Sequence, residues 1–173
     1  STPLYSSAAS DVYKRQNFGG FGQQGYGYNV KYLHAEIAKI LGIDKKHNMI
    51  IIGAGNLGQA IANYSAFEKR GFVVKGIFDI NPKLVGMTVR GIEVMNLEDL
   101  PEFVKKENID IAALTIPKTS ATEVAAEAAA AGVKAIWNFA HTDLALNDDV
   151  VVENVHLSES LMQLSYRLAR KEK

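Results

Sequence analysis

The sequence predicts an α/β fold in which a doubly wound parallel sheet is covered by helices on both faces. Short apolar runs alternate with amphipathic helical patterns along most of the chain, which is typical of strands joined by helical crossovers. A glycine-rich turn, "IIGAGNLGQA" at residues 51–60, follows the first apolar run directly. The composition, 47% hydrophobic and 22% charged, is that of a globular protein with a core.

The N-terminal part of the chain does not fit this alternation. Residues 1–16, "STPLYSSAASDVYKRQ", are small and polar and are expected to be disordered or non-native. Residues 17–28, "NFGGFGQQGYGY", combine glycines with four aromatics. A flexible linker rarely carries so many aromatics, so we expect a glycine-turned hairpin with aromatics paired across its strands. A helix is expected from Val30 to Leu41, with Gly42 as its stop.

The remaining elements follow from the periodicity of the apolar residues. Fully apolar or β-branched runs predict buried strands, and apolar residues on one helical face predict the crossover helices. The predicted strands are 48–53, 72–80, 92–96, 109–117, 133–140 and 149–155; the predicted helices between them are 56–70, 97–107 and 119–131.

A last helix is expected over residues 158–170. Its apolar stripe consists of Leu157, Leu161, Leu164 and Leu168, at spacings of four, three and four. Such a helix can lie on its own sheet, or it can pack against another subunit. The periodicity alone does not separate the two interpretations.

The strongest chemical signal is the spacing Gly53-x-Gly55-x-x-Gly58 between a strand and a helix, which is the context of a dinucleotide-binding turn. Gly53 would allow the tight turn, Gly55 the approach of a pyrophosphate, and Gly58 the close packing of helix on strand. The amides and partial positive charge at the helix N-terminus attract phosphates. The candidate phosphate-binding residues are Gly53, Ala54, Gly55, Asn56, Leu57 and Gly58.

Asp79 ends the second predicted strand, about 20 residues beyond Gly58. A carboxylate there would accept hydrogen bonds from the adenosine ribose and repel a 2′-phosphate, which favours NAD(H) over NADP(H). A tight strand–helix turn without a nucleotide, and a turn that binds coenzyme A or another nucleotide, are the alternatives.

Two further loops follow strands and are expected to complete the pocket. They are "TIPK" (115–118), with Pro117, and "NFAH" (138–141), with Asn138 and Phe139 facing a nicotinamide ring. His141 is more consistent with a structural hydrogen bond than with proton transfer. The sequence offers no paired acid and base, no catalytic Lys–Tyr pair and no second lobe for a substrate. A cofactor would therefore be bound as a signal and not used as a reagent, so we expect no enzyme.

Other classes are disfavoured by composition. Zero net charge gives no global reason to bind nucleic acid or membrane. Cysteine is absent, and the four histidines lack metal-ligand spacing, so no metal is expected. Residues 49–67 are uncharged, but glycine, asparagine and glutamine interrupt them, which favours a strand, turn and helix over a membrane span. Without a secretory signal pattern, the cytoplasm is the expected compartment.

Five segments carry a resemblance at the level of individual residues. They are "FGGFGQQGYGYNVKYLHAEIAKILG", "IIGAGNLGQAIANY", "GIFDINPKLVG", "NFA" and "LMQLSYRLAR", in this order. From about Asn17 to its C-terminus the sequence resembles the Rex family of redox-sensing transcriptional repressors. The resemblance implies a homodimer with a winged-helix DNA-binding domain, a Rossmann domain for NADH and NAD+, and a C-terminal helix exchanged between subunits. It also implies that NADH binding releases the repressor from operator DNA.

Mapped onto this chain, the resemblance implies four parts. Residues 1–16 are a disordered or non-native segment, 17–45 a remnant of the winged helix with its linker helix, 46–155 the NAD(H)-binding domain, and 156–173 the exchanged dimerisation helix. The recognition helix should precede Asn17, and residues 1–16 do not resemble one. The wing remnant would contact DNA through Gln23, Gln24, Gly25 and Tyr26.

The resemblance also implies the cofactor contacts. Residues 53–58 would bind the pyrophosphate and Asp79 the ribose, while Pro117 and the loop of Asn138, Phe139 and Ala140 would border the cofactor. The leucine stripe becomes the dimer helix. One departure is His156, where many relatives have aspartate. A small NAD-dependent oxidoreductase and the coenzyme A-binding module of a ligase are the alternative functions.

Overall fold

The structure is a computed structural model that describes residues 22–23 and 27–171, and the chain divides into two compact units, Ser1–Lys46 and His47–Lys173. In the first unit, β1 (Gly22–Gln23) pairs antiparallel with β2 (Gly27–Tyr28), as expected for a hairpin. The predicted wing residues Gln24, Gly25 and Tyr26 lie outside the described residues.

Helix α1 (Val30–Ile40) follows the hairpin. It begins where the side chain of Asn29 accepts a hydrogen bond from the amide of Tyr32, 3.2 Å away, which caps the helix. It ends at Leu41, and Gly42 then takes a left-handed conformation with φ of 69°. The predicted glycine stop is confirmed.

The second unit is built on a seven-stranded sheet, of which six strands are parallel. Across the sheet, the parallel strands stand in the order third, second, first, fourth, fifth, sixth, which is the doubly wound arrangement that leaves a crevice between the first and fourth. The strands are β3 (His47–Ile52), β4 (Phe72–Asp79), β5 (Thr88–Val89), β6 (Ile92–Asn96), β7 (Ile111–Leu114), β8 (Ala135–Asn138) and β9 (Val151–Asn154).

Strand β5 was not predicted. It pairs antiparallel with β6 through a two-residue turn in which Arg90 and Gly91 have φ of 49° and 79°. Positive φ at both positions is what a tight hairpin requires. The three predicted strands 109–117, 133–140 and 149–155 are too long. In the first two, Ile109 and Val133 are buried as loop residues before the hydrogen-bonded ladder and extend the apolar run.

The helices of the second unit are α2 (Asn56–Asn63), α3 (Ala66–Lys69), α4 (Leu100–Glu107), α5 (Lys118–Ala131) and α6 (Leu157–Lys171), with a 3-10 turn at Leu97–Asp99. The prediction of one helix over 56–70 was wrong. Tyr64 leaves the helical conformation, with φ of −79° and ψ of 93°, and its ring packs edge-on against Phe67 with centroids 4.6 Å apart. The chain therefore restarts as the short helix α3.

The core consists of two layers, one on each face of the sheet. Ile50 and Ile52 point to the layer built with α4 and α5, and Ile51 between them points to the layer built with α2. Because both faces are covered, β3 reads as a continuous apolar run without alternation. The predicted α/β fold with a doubly wound, mostly parallel sheet is confirmed.

Helix α6 differs from every other long helix of this unit. Among its described residues none is buried, and its four leucines are between 56% and 66% exposed. In the single chain, α6 therefore does not lie on its own sheet.

Candidate nucleotide-binding site

The turn between β3 and α2 is fixed by two glycines that the protein's own packing requires. Gly53 has φ of 107°, and a Cβ there would collide with the carbonyl oxygen of Thr115. A Cβ on Gly58 would collide with the carbonyl oxygen of Gly53 and would lie 2.8 Å from Oγ1 of Thr115. The tight turn and the close helix packing expected of these two positions are both present.

Gly55 is different, because a Cβ there would meet no described atom within 4 Å. It is the N-cap residue of α2, and no side chain in the described part of the chain caps this helix. The space in front of the N-terminus of α2 is therefore open, with amide donors and the positive end of the helix dipole facing it. These donors fit a pyrophosphate.

Thr115 holds the turn in place from the neighbouring strand end. Its hydroxyl donates a hydrogen bond to the carbonyl of Gly53, at 2.8 Å, and its amide donates to the carbonyl of Ile52, at 2.9 Å. Sequence reasoning missed this role. The available signal was one hydroxyl at the end of an apolar strand that parallel pairing places beside the glycine turn.

Asp79 ends β4 beside the same turn. Its Oδ2 accepts a hydrogen bond from the amide of Ala54 and its Oδ1 accepts one from the amide of Asn81, each at 2.7 Å. Each carboxylate oxygen keeps a further lone pair, so the group can still accept from ribose hydroxyls. Its negative charge, so close to the turn, disfavours a 2′-phosphate.

A cleft of about 270 Å³ opens between these strand ends. It brings together Gly53, Gly55, Asp79 and Pro117 from the predicted set. Thr115 and Ile116, from the loop expected to complete the pocket, also line it. The lining residues that the sequence analysis did not name are Ile52, Ile80, Asn81, Leu84, Leu97, Ser120 and Val124. Several of these residues are apolar, which suits the flat face of a purine base. The side chain of Ile80 is 73% exposed and so is available to contact such a base.

The loop after β8 does not line this cleft. The side chain of Asn138 is fully buried, and its Oδ1 accepts a hydrogen bond from the amide of Ala140 at 3.0 Å. The ring of Phe139 packs edge-on against Trp137, with centroids 4.6 Å apart. Asn138 and Phe139 therefore shape the loop at the next strand end, and any contact they make with a ligand lies beyond the adenosine side of the cleft.

His141 of this loop stacks on His156, the residue before α6, with ring centroids 5.9 Å apart and an interplanar angle of 22°. His156 thus lies beside a second histidine. This contact joins the loop after β8 to the beginning of α6.

No helix in residues 27–171 is both long and apolar enough to cross a membrane. In the same described residues, no group of three or more histidine, aspartate or glutamate side chains is arranged to hold a metal ion.

The strand order, the glycine turn and the carboxylate at the end of β4 define a domain of the Rossmann type. The family model described as "CoA binding domain" matches residues 44–142. The redox-sensing transcriptional repressor Rex of Caldanaerobacter subterraneus subsp. tengcongensis is 61% identical over 156 residues, which cover 90% of this chain and 70% of that protein. The chain therefore belongs to the Rex family of redox-sensing transcriptional repressors, and its residues 44–142 form a domain of the CoA-binding family.

Solved structures of RSP, a Rex-family repressor, agree with this assignment. RSP in complex with β-NAD+ and operator DNA superposes with a TM-score of 0.86 at 57% identity, covering 96% of this chain and 76% of that one. RSP in complex with β-NADH superposes with a TM-score of 0.84 at 53% identity, covering 95% and 77%.

The family assignment decides between the functions considered from the sequence. The relatives are named as transcriptional repressors and not as enzymes, which confirms the resemblance and supports the non-enzymatic role expected from the sequence. The alternative of an oxidoreductase finds no support among these relatives.

Proposed function

We propose that this chain binds NADH and NAD+ in the cleft at the ends of β3, β4 and β7, and that it reports their ratio to operator DNA. The observation that carries the proposal is the open space at Gly55 in front of an uncapped helix, in a chain 57% identical to a repressor solved with NAD+ and operator DNA. Residues 53–58 hold the pyrophosphate, Asp79 the adenosine ribose, and Pro117 borders the cofactor.

The loop of Asn138, Phe139 and Ala140 receives the nicotinamide half. Phe139 and Trp137 make this end of the site apolar. An uncharged reduced ring is less costly to bury there than the cationic oxidised ring. The site is therefore expected to prefer NADH.

Regulation then follows from a population shift. NADH can release DNA only if it binds the DNA-free conformation more tightly than the DNA-bound one. A differential binding free energy of about 3 kcal/mol changes the relative operator affinity by roughly 150-fold.

The proposed assembly is a homodimer built with α6. The leucine stripe is exposed along its length and needs an apolar surface to pack against. The sheet offers such a surface, because an apolar pocket of about 390 Å³ lies over the uncovered part of one face. Met49, Ile111, Trp137 and Val151 line this pocket, with Phe67 at its side. An exposed apolar helix and an uncovered apolar sheet face in one chain are complementary surfaces for two copies.

The proposed contact with DNA belongs to the N-terminal part. Residues 17–45 would supply the wing, through Gln23, Gln24, Gly25 and Tyr26, and the linker helix. Residues 46–155 would bind the cofactor and 156–173 would form the dimer helix. A protein that acts on DNA in this way works in the cytoplasm.

The test compares NADH, NAD+, NADPH and coenzyme A as ligands. Binding is measured by thermal unfolding and by the fluorescence emission of Trp137, the one tryptophan of the sequence. NADH absorbs where tryptophan emits, so bound NADH is expected to quench Trp137 by energy transfer, whereas NADPH should bind weakly. At a ligand concentration of 100 times Kd, NADH should stabilise the fold by about 2.7 kcal/mol.

Coenzyme A is the fourth ligand, because the domain model is described as CoA binding. Stabilisation by coenzyme A without stabilisation by NADH would overturn the proposal. Equal affinity for NADH and NAD+ would support nucleotide binding but would overturn the proposal that the protein senses the ratio of NADH to NAD+.

A further inference from the structure

The three hydrogen bonds of the Asn138 side chain show how the loop after β8 is held. Its Oδ1 accepts from the amide of Ala140, and its Nδ2 donates to the carbonyl of Thr142 at 2.9 Å and to Oδ1 of Asn154 at 2.8 Å. Two of the three partners are backbone groups of the loop itself. Only the third, Asn154, is a side chain from another strand.

Asn154 is the last residue of β9 and lies directly opposite Asn138 in the parallel register. The next amide, that of Val155, donates to the carbonyl of Asn138 at 2.8 Å. His156 then stacks on His141 of the loop. The end of β9 and the two residues after it therefore contact Asn138 and its loop at three successive positions. Asn154 itself is exposed, and among the described residues it supplies the side-chain hydrogen bond that reaches the buried Asn138 from another strand.

The adenosine side of the site does not depend on this contact. The glycine turn is held by Thr115 from β7, and Asp79 is held by the amides of Ala54 and Asn81. None of these groups bonds to Asn154, whose side-chain partner in the described residues is Asn138. The two halves of the site are thus supported by separate sets of hydrogen bonds.

We propose that Asn154 is a positioning residue of the cofactor site, which fixes residues 139–142 through Asn138 so that they can receive the nicotinamide half of the ligand. This inference rests on the proposed binding of NADH. It assigns to Asn154 an effect on the binding of the nicotinamide ring, which is the one part of NADH that ADP-ribose lacks.

The experiment measures the affinities of NADH and ADP-ribose for the wild-type chain and for two variants. Asn154→Ala removes the acceptor of the Asn138 amide, which keeps its bond to Thr142, so the fold should be retained. We expect the Kd for NADH to rise roughly three- to tenfold, the worth of one hydrogen bond, with the Kd for ADP-ribose unchanged. Asn154→Asp keeps an acceptor oxygen and should restore NADH binding.

A purely structural role would not produce this split, because general destabilisation would lower both affinities together. The proposal is overturned if Asn154→Ala binds NADH as tightly as wild type, or if ADP-ribose binding falls by the same factor. If Asn154→Ala does not fold, Asn154→Gln, which keeps the amide but displaces it by one methylene, must show the same selective loss. Wild-type protein that binds neither ligand overturns the proposed function together with this inference.

Discussion

The glycine turn with α2 and the C-terminal helix α6 are built on opposite principles. Around the turn, three of the buried residues are Ala54, Gly58 and Ile61, and the carbonyl of Gly53 is bonded to Thr115. Along α6, none of the described residues is buried, and Leu161, Leu164 and Met162 are all more than 60% exposed.

The packing around the turn is complete within the chain, whereas the packing along α6 is not. The turn finds all its packing partners within residues 47–154, so its geometry should persist without ligand or partner. No described residue of α6 is buried against its own chain, so the proposed dimer is what would cover its apolar surface. Changes in the first region should act on stability and changes in the second on assembly.

The largest loss of stability is expected from Gly58→Ala, in the glycine turn. The new Cβ would collide with the carbonyl of Gly53, and neither backbone segment can move without breaking the turn. The free energy of unfolding should fall by about 3 kcal/mol, which lowers Tm by roughly 10 °C. Thermal and urea unfolding measure it.

Gly55→Ala is the matched control, because it adds the same methyl group where no described atom is near. The free energy of unfolding should fall by less than about 1 kcal/mol, the usual scale of an N-cap change. A similar loss of stability in both variants would mean that the turn is not held by the packing described here.

The next largest effect is expected from the double substitution Leu161→Glu with Leu164→Glu. In the proposed dimer these two leucines are buried, so charges there should raise the dissociation constant of the dimer at least about 100-fold. Sedimentation velocity over a concentration series measures the change.

Gln163→Glu adds a charge to the same helix away from the stripe and should leave the dimer intact. The thermal stability of the separated monomers should match in both variants, because the two leucines are exposed in the single chain. A dimer that survives the double substitution would place the subunit contact elsewhere.

A smaller effect, on both stability and selectivity, is expected from Asp79→Asn. An amide can keep only one of the two hydrogen bonds accepted at the turn, so stability should fall by about 1 to 2 kcal/mol. Removing the negative charge should shift the preference between NADH and NADPH toward NADPH by about tenfold, or 1.4 kcal/mol.

Fluorescence titration with both cofactors measures the selectivity. Asp99→Asn is the control, since this carboxylate lies at the N-terminus of α4 and makes no capping bond there. An unchanged preference for NADH in Asp79→Asn would show that another group excludes the 2′-phosphate.

The smallest effect is expected from Arg90→Ala, which lies in neither region. Arg90 pairs with Glu68 at 3.1 Å, but both side chains are substantially exposed. Stability should change by less than about 0.5 kcal/mol. The positive φ of 49° is the same for alanine, so backbone strain does not contribute. A double-mutant cycle with Glu68→Ala isolates the pair, and a coupling energy well above this value would contradict its assignment as a surface pair.

Much of the sheet could be predicted because β3 and its neighbours are buried on both faces, which leaves an uninterrupted apolar run in the sequence. The break at Tyr64 could not be predicted, because "NYSAF" has no helix breaker and the interruption depends on aromatic packing formed in the fold. Strand β5 is two residues long and depends on a turn whose first residue, Arg90, is not typical of positive φ.

The site shows the same division. Gly53, Gly55 and Gly58 could be predicted because their spacing is set by one strand, one turn and one helix, and Asp79 because it ends the next strand. The roles of Thr115 and Asn154 could not, since each acts across strands that are distant in the sequence. Such contacts depend on strand order and register, which local periodicity does not report.

The steric environment of the three glycines also changes what the motif means in any sequence that carries it. A side chain at Gly53 would collide with Thr115, and one at Gly58 would collide with the carbonyl of Gly53, so a chain with this turn must retain both glycines whether or not it binds anything. Only the middle glycine is unconstrained by the protein. A relative that has kept the outer two and replaced the middle one should therefore be expected to retain the fold and to have lost the phosphate.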